Sequence, residues 1–240
     1  MTSSEIKSVS ASQRAKAVRP DTSFVWECTR AIILEYFKIF HRVRYRGQRN
    51  IPAEGPLIIA PNHVSFYDPP LVAAGVPHRM RFMAWDALFR VPFLKQLISA
   101  YGAFPVRAKS ADKSAVTATL SILRNRECMM IFPEGGRSKD GQLKSFEQGL
   151  ARMAVKAGAR IVPVAVTGAF ESWPCQHLLP RWFHRIMVKY YPAINIPPGN
   201  NHNNEKQRAN LVNQLIASSI ERRMRASARL RKMNDRRKAR

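Results

Sequence analysis

Three short, almost wholly apolar runs constrain the fold of this chain more than any other feature. They are Pro56–Ala60 (PLIIA), Cys128–Phe132 (CMMIF) and Arg160–Thr167 (RIVPVAVT). Each is far too short to span a bilayer and too uniformly apolar for a strand that keeps one face in water. Strands buried on both faces belong to parallel sheets covered by helices. Helical patterns lie between and around them, at 91–101, at 111–126 and at 146–157, the last ended by Gly158. Further strand-like stretches occupy 42–49, 80–84 and 185–191. This alternation predicts an α/β fold, a largely parallel mixed sheet flanked by helices. Pro163 inside the third run predicts a bulge or an edge position. A chain of 240 residues, 45% hydrophobic, suits one such domain with appended ends.

The ends differ from the middle. Residues 1–22 are rich in Ser, Ala and basic residues, with no apolar run of the kind a secretory signal needs, and are expected to be disordered. Residues 23–41 predict an amphipathic helix. At about 100° per residue, Glu27, Arg30, Glu35 and Lys38 fall within a ~140° arc, and the remainder is apolar and aromatic. A face that wide can pack on a core, lie in a bilayer interface, or do both. Residues 42–204 form the predicted folded domain. From Glu205 to Arg240 a helical pattern resumes, with Val212, Ile216, Ile220 and Met224 every fourth residue, and becomes strongly basic from Arg222, giving a basic C-terminal helix and tail.

Charge narrows the partners. Forty Lys and Arg against sixteen Asp and Glu give a formal net charge of +24. The excess is not confined to a tail, because residues 205–240 hold twelve bases and residues 1–20 hold four. Such a surface seeks a polyanion: nucleic acid, an anionic bilayer or a phosphorylated small molecule. No helix-turn-helix, zinc-finger or RNP pattern is present, and the aromatics cluster with aliphatics near the N-terminus instead of interleaving with the basic tail, so no specific nucleic acid is expected. Cys28, Cys128 and Cys175 stand far apart with no zinc spacing. That suits a reducing cytoplasm and no metal site.

The chemistry-bearing residues follow the strands. Asn62-His63-Val64-Ser65-Phe66-Tyr67-Asp68 comes straight off PLIIA, at the strand end where open α/β sheets bind ligands. Asp68 precedes two prolines and so reads as a helix N-cap with proline in the first turn. On one helix His63 and Asp68 would diverge by ~140°, but in a strand–loop–helix turn they can meet. An imidazole held by a carboxylate is a general base for a hydroxyl. Gly102-Ala103-Phe104-Pro105-Val106-Arg107 ends an apolar segment with one arginine. Ile131-Phe132-Pro133-Glu134-Gly135-Gly136-Arg137-Ser138 follows CMMIF: paired glycines let backbone N–H groups approach an anion, and Arg137 offers a fork for phosphate.

NHVSFYD, FPVR, FPEGGRS and IVPVAV, in this order, resemble the glycerophospholipid acyltransferases, the 1-acyl-glycerol-3-phosphate O-acyltransferase family marked by a His and an Asp separated by four residues. The resemblance covers about residues 42–195. It implies that residues 42–204 are a catalytic domain, that His63 takes the proton of an acceptor hydroxyl, and that Asp68 orients it. It implies that Arg107, Glu134, Gly135, Gly136, Arg137 and Ser138 shape the site for a lysophospholipid acceptor. The donor is then acyl-CoA or acyl carrier protein, with no metal and no other cofactor. The chain departs from the family at Gly136, where Thr is common, and this leaves the acceptor open between lysophosphatidic acid and another lysolipid such as lyso-ornithine lipid. Ser138 stands close enough in sequence to compensate. The charge and the 23–41 helix together suggest an anionic membrane surface as partner, at the cytoplasmic face, with peripheral or monotopic attachment.

Overall fold

The computed structural model describes residues 23–77, 79–106, 113–196 and 205–238. The expected disorder of 1–22, and Arg107, lie outside the described residues. The chain opens with α1 (Ser23–His41), then runs through β1 (Arg44–Arg46), β2 (Leu57–Pro61), α2 (Asp68–Ala74), β3 (Met80–Trp85), α3 (Leu94–Ala100) and β4 (Ala103–Val106). It continues through α4 (Lys113–Arg124), β5 (Cys128–Met130), α5 (Gln148–Ala157), β6 (Arg160–Thr167), α6 (Ala169–Ser172), β7 (Met187–Tyr190) and α7 (Glu205–Lys238).

The seven strands form one sheet in the order β1-β7-β6-β2-β5-β3-β4. All neighbours run parallel except β6 and β7. The predicted mixed, largely parallel sheet is therefore present. Period-two alternation divides its side chains between two cores. Leu57 and Ile59 of β2 join Phe37, Leu71 and Tyr190 on the α1–α2 face. Ile58 and Ala60 join Leu123, Leu150 and Ile216 on the α4–α5–α7 face. Every residue of β2 is buried, which is why this run carries no polar side chain. Along α7, Ala209, Val212, Ile216 and Ile220 are buried, whereas Leu211 and Leu215 beside them face outward.

Two prolines set local features of the sheet, one expected from the sequence and one not. Pro163 lies in the interior of the sheet, since β6 pairs on both sides. The β6–β7 ladder pairs Val164 with Tyr190, while the isolated bridge beyond it pairs Ile161 with Ile194, a slip of one residue. The missing N–H thus falls at a bulge, as a proline in an inner strand requires. Pro105 sits in β4, which sequence patterning did not reveal as a strand. β4 is the sheet's edge, where a strand N–H can be missing without cost to a second neighbour.

β4 is entered through Gly102 at φ +93°, where an added Cβ would lie 2.1 Å from the carbonyl oxygen of Met80. Gly102→Ala is expected to lower the stability of unfolding by ~2 kcal/mol or more, because backbone on both sides cannot yield. Urea denaturation of the purified variant checks this.

Candidate active site

All the parallel strands that carry motifs end at one pole of the sheet, and their following loops meet there. β2 stops at Pro61, and Asn62 takes up a fully buried position. Its side chain closes a two-way pair with β6: Nδ2 donates to the carbonyl of Val166 (3.1 Å), and Oδ1 accepts from the N–H of the same residue (2.7 Å). This clamp fixes where the next residue, His63, leaves the sheet.

His63 and Asp68 meet. The Nδ1–H of His63 donates to Oδ2 of Asp68 at 2.8 Å. The same oxygen accepts the backbone N–H groups of Val64 (2.6 Å) and Ser65 (2.7 Å). Asp68 is fully buried, and three donors on Oδ2 take the place of solvent there, while Oδ1 has no hydrogen-bond partner among the described residues. The expectation of an N-cap is corrected here. Asp68 begins α2 but makes no forward capping bond; its carboxylate turns back onto the loop. Pro69 and Pro70 do occupy the first turn, and their fixed φ starts the helix without needing that cap. With Nδ1 protonated toward Asp68, Nε2 keeps the lone pair. The imidazole stacks on Phe132, with ring centroids 3.8 Å apart, and its side chain stays 15% exposed, open to a substrate.

The Glu134–Ser138 loop off β5 wraps this pair. Glu134 is buried and uses both carboxylate oxygens on backbone. Oε1 accepts the N–H of His63 (2.7 Å) and Oε2 that of Lys144 (2.9 Å). Burial raises its pKa above the usual carboxylate range, opposed by those two N–H groups. Glu134 therefore braces His63, and its carboxylate is not turned to a ligand. Ser138 donates its N–H to the carbonyl of His63 (2.7 Å) and its hydroxyl to Asp140 (2.8 Å). Its side chain is committed, so it does not stand in for a threonine at 136. Arg137 does project over the site: its guanidinium carbon lies 3.9 Å from the ring centroid of Phe66, in the His63–Asp68 loop. Gly135 needs its glycine, with φ +66° and the Glu147 side chain 3.1 Å from an added Cβ. Gly136 has no such need, since an added Cβ would meet only Lys144 Nζ at 3.9 Å.

Three participants were invisible to motif reasoning. Ser65 donates its hydroxyl to the carbonyl of Trp173 (2.8 Å), Phe66 donates its N–H to that same carbonyl (3.3 Å), and Phe132 backs the imidazole. The adjacency of Asn62 to His63 was the one available sign that the strand end is clamped. Among the described residues no group of three or more His, Cys, Asp or Glu is placed to hold a metal.

The family model described as acyltransferase matches residues 42–167, more than half of the chain and both loops just described. The chain belongs to this family. Among relatives, it is 28% identical over 139 residues to the chloroplastic 1-acyl-sn-glycerol-3-phosphate acyltransferase of Arabidopsis thaliana, covering 56% of this chain and 38% of that one. It is 30% identical over 122 residues to the 1-acyl-sn-glycerol-3-phosphate acyltransferase of Borreliella burgdorferi, covering 50% and 49%. The matched stretch thus spans half or less of the length of these relatives. The crystal structure of the 1-acyl-sn-glycerophosphate acyltransferase from Thermotoga maritima superposes with a TM-score of 0.66 at 23% identity, over 85% of this chain and 82% of that one, and the fold of this acyltransferase domain is the same.

Two substitutions test the site's construction. Glu134→Gln sets an amide NH2 against one of two buried backbone N–H donors. It is expected to cost roughly 1–3 kcal/mol of stability and, by loosening His63, about 10²-fold in kcat; thermal melting and steady-state kinetics read the two effects. Gly136→Thr is expected to change stability by less than about 0.5 kcal/mol while altering the ratio of kcat/KM between phosphate-bearing and uncharged acceptors, measured by thiol release.

Proposed function

We propose that this acyltransferase moves a fatty acyl chain from a thioester donor, acyl-CoA or acyl carrier protein, to the free hydroxyl of a lysophospholipid. The acceptor we propose is 1-acyl-sn-glycerol-3-phosphate, which would yield phosphatidic acid for phospholipid biosynthesis. The observation that carries the reading is the imidazole of His63 held at 2.8 Å by a buried Asp68, at the sheet pole where the family's motifs converge. The names of the relatives support the acceptor, and the basic surface supports an anionic one.

Nε2 of His63 takes the hydroxyl proton as the acceptor oxygen attacks the thioester carbonyl. Asp68 stabilises the imidazolium that forms. The tetrahedral intermediate collapses, the C–S bond breaks, and the imidazolium returns its proton to the departing thiolate. Arg137, steadied on Phe66, binds the acceptor phosphate, and Arg107 is assigned the same task. No cofactor beyond the acyl donor enters this scheme.

The acceptor is a bilayer lipid, so the enzyme is proposed to work on an anionic membrane at the cytoplasmic face, attached peripherally or monotopically. Among the described residues no helix is long and apolar enough to cross a membrane. In α1, Trp26 and Phe37 pack into the core, while Phe24, Ile32 and Ile39 are exposed and available to lipid. The broad face expected from the sequence is therefore divided between core and surface.

Thiol release from oleoyl-CoA by the purified chain, with and without lysophosphatidic acid, tests the function. Release is expected to require the acceptor. It should fall about 10²–10⁴-fold in His63→Ala and in Asp68→Asn. Near-normal rates in either variant would overturn the mechanism. Release with lyso-ornithine lipid alone would reassign the acceptor, and release only from acyl carrier protein would reassign the donor.

A further inference from the structure

The loops that flank His63 present apolar side chains that are left exposed among the described residues. On one side, residues 86–93 follow the carboxyl end of β3 and expose Leu88, Val91 and Phe93, the last 83% exposed. On the other side, the segment after α6 exposes Leu178, Leu179 and Phe183, with Leu178 at 90%. Both stand at the same pole, because β2, β3, β5 and β6 run parallel. The second segment is fastened to the site: Phe66 bonds the carbonyl of Trp173, Arg181 that of Ser172, and Phe183 that of Phe40. The pole that holds the imidazole is thus ringed by uncovered aliphatic and aromatic groups, an arrangement that marks a binding surface.

Of the four non-glycine residues with positive φ among the described residues (Arg42, Phe93, Arg126 and Phe183), the two aromatic ones lie in these loops. Phe93 has φ +62° and Phe183 φ +65°, a region that costs any residue with a Cβ. Each loop thus carries a strained residue whose ring is mostly exposed, that of Phe183 resting against Phe40 on one side. Strain held at an uncovered aromatic gives the folded domain alone nothing. The flanking charges identify the occupant. Arg90 and Lys95 accompany the first segment and Arg181 and Arg185 the second, while across 85–95 and 178–185 the sole acid is Asp86, which pairs with Arg90 at 3.7 Å. Outward rings and leucines among long cationic side chains match an anionic phospholipid leaflet, with the rings at acyl depth and the cations at the phosphates.

We infer that the 86–93 and 178–183 loops are paired insertion wedges that seat the His63 mouth on an anionic bilayer. The inference rests on the proposed lipid acceptor only for its purpose, not for its test. The full chain is mixed with vesicles of phosphatidylcholine containing or lacking phosphatidylglycerol, and bound protein is measured by flotation. Leu88→Ser with Phe93→Ser, and separately Leu178→Ser with Leu179→Ser, are expected to weaken binding about tenfold each and about 100-fold together. Turnover of a soluble short-chain lysophosphatidate should persist while turnover of vesicle-embedded acceptor falls. Unchanged flotation of the combined variant overturns the wedges. So does a lipid-free dimer that the same substitutions dissociate, since the face would then meet a second copy. Should the variants misfold, the native chain decides: Trp85 and Trp182 sit in these regions, and tryptophan emission unquenched by chain-brominated lipid overturns the proposal. Lost flotation combined with no acyl transfer by wild type to either acceptor upholds the wedges and sinks the proposed function instead.

Discussion

Two carboxylates buried in a chain of net charge +24 hold the site together, and neither relies on a cation to do so. Asp68 is 0% and Glu134 2% exposed, yet Oδ2 of Asp68 and both oxygens of Glu134 are met by main-chain N–H groups and one imidazole, while Oδ1 of Asp68 has no hydrogen-bond partner among the described residues. Backbone donors are fixed by the fold, lose no side-chain entropy on bonding, and cannot be screened away as exposed ion pairs are. The arrangement also leaves the arginines of the site pole outside these bonds. Arg137 projects over Phe66 instead of closing onto Glu134, three positions before it.

The order of construction runs outward from β2. Its burial on both faces fixes the strand, and the Asn62–Val166 pair fixes its end. The next residue can then depart only along one path, and Glu134 fastens that residue's own N–H from the neighbouring loop. His63 is thereby positioned through its backbone from one side and through its ring from the other.

Much of this was legible from residues alone, and the limits were physical. β6 could be placed at Arg160–Thr167 because an eight-residue apolar run with no charge after its first residue has few other uses. β4 was hidden because Pro105 argues against a strand, and only the sheet order reveals that the strand is an edge. The pairing of His63 with Asp68 could be expected from a loop joining strand to helix. The task of Glu134 could not: its partners are main-chain atoms 71 and 10 positions away, and backbone groups leave no signature in a sequence. The same holds for Ser138, whose hydroxyl looks free until its neighbour Asp140 is placed within 2.8 Å.

Where α1 meets the His63–Asp68 loop, the contact is built differently from the rest of the surface. His41 lies fully buried, its ring among those of Tyr36, Phe37, Tyr67 and Trp182, and burial lowers its pKa. The phenols of Tyr36 and Tyr67 share a 2.6 Å hydrogen bond in the same wall, one residue before Asp68. The seam is built of aromatic rings and a phenol pair, with no Lys, Arg, Asp or Glu among these residues. Rising ionic strength, which weakens the hold of the basic exterior on any anionic partner, therefore leaves the seam intact, and release from a charged surface by salt does not loosen the helix from the His63–Asp68 loop.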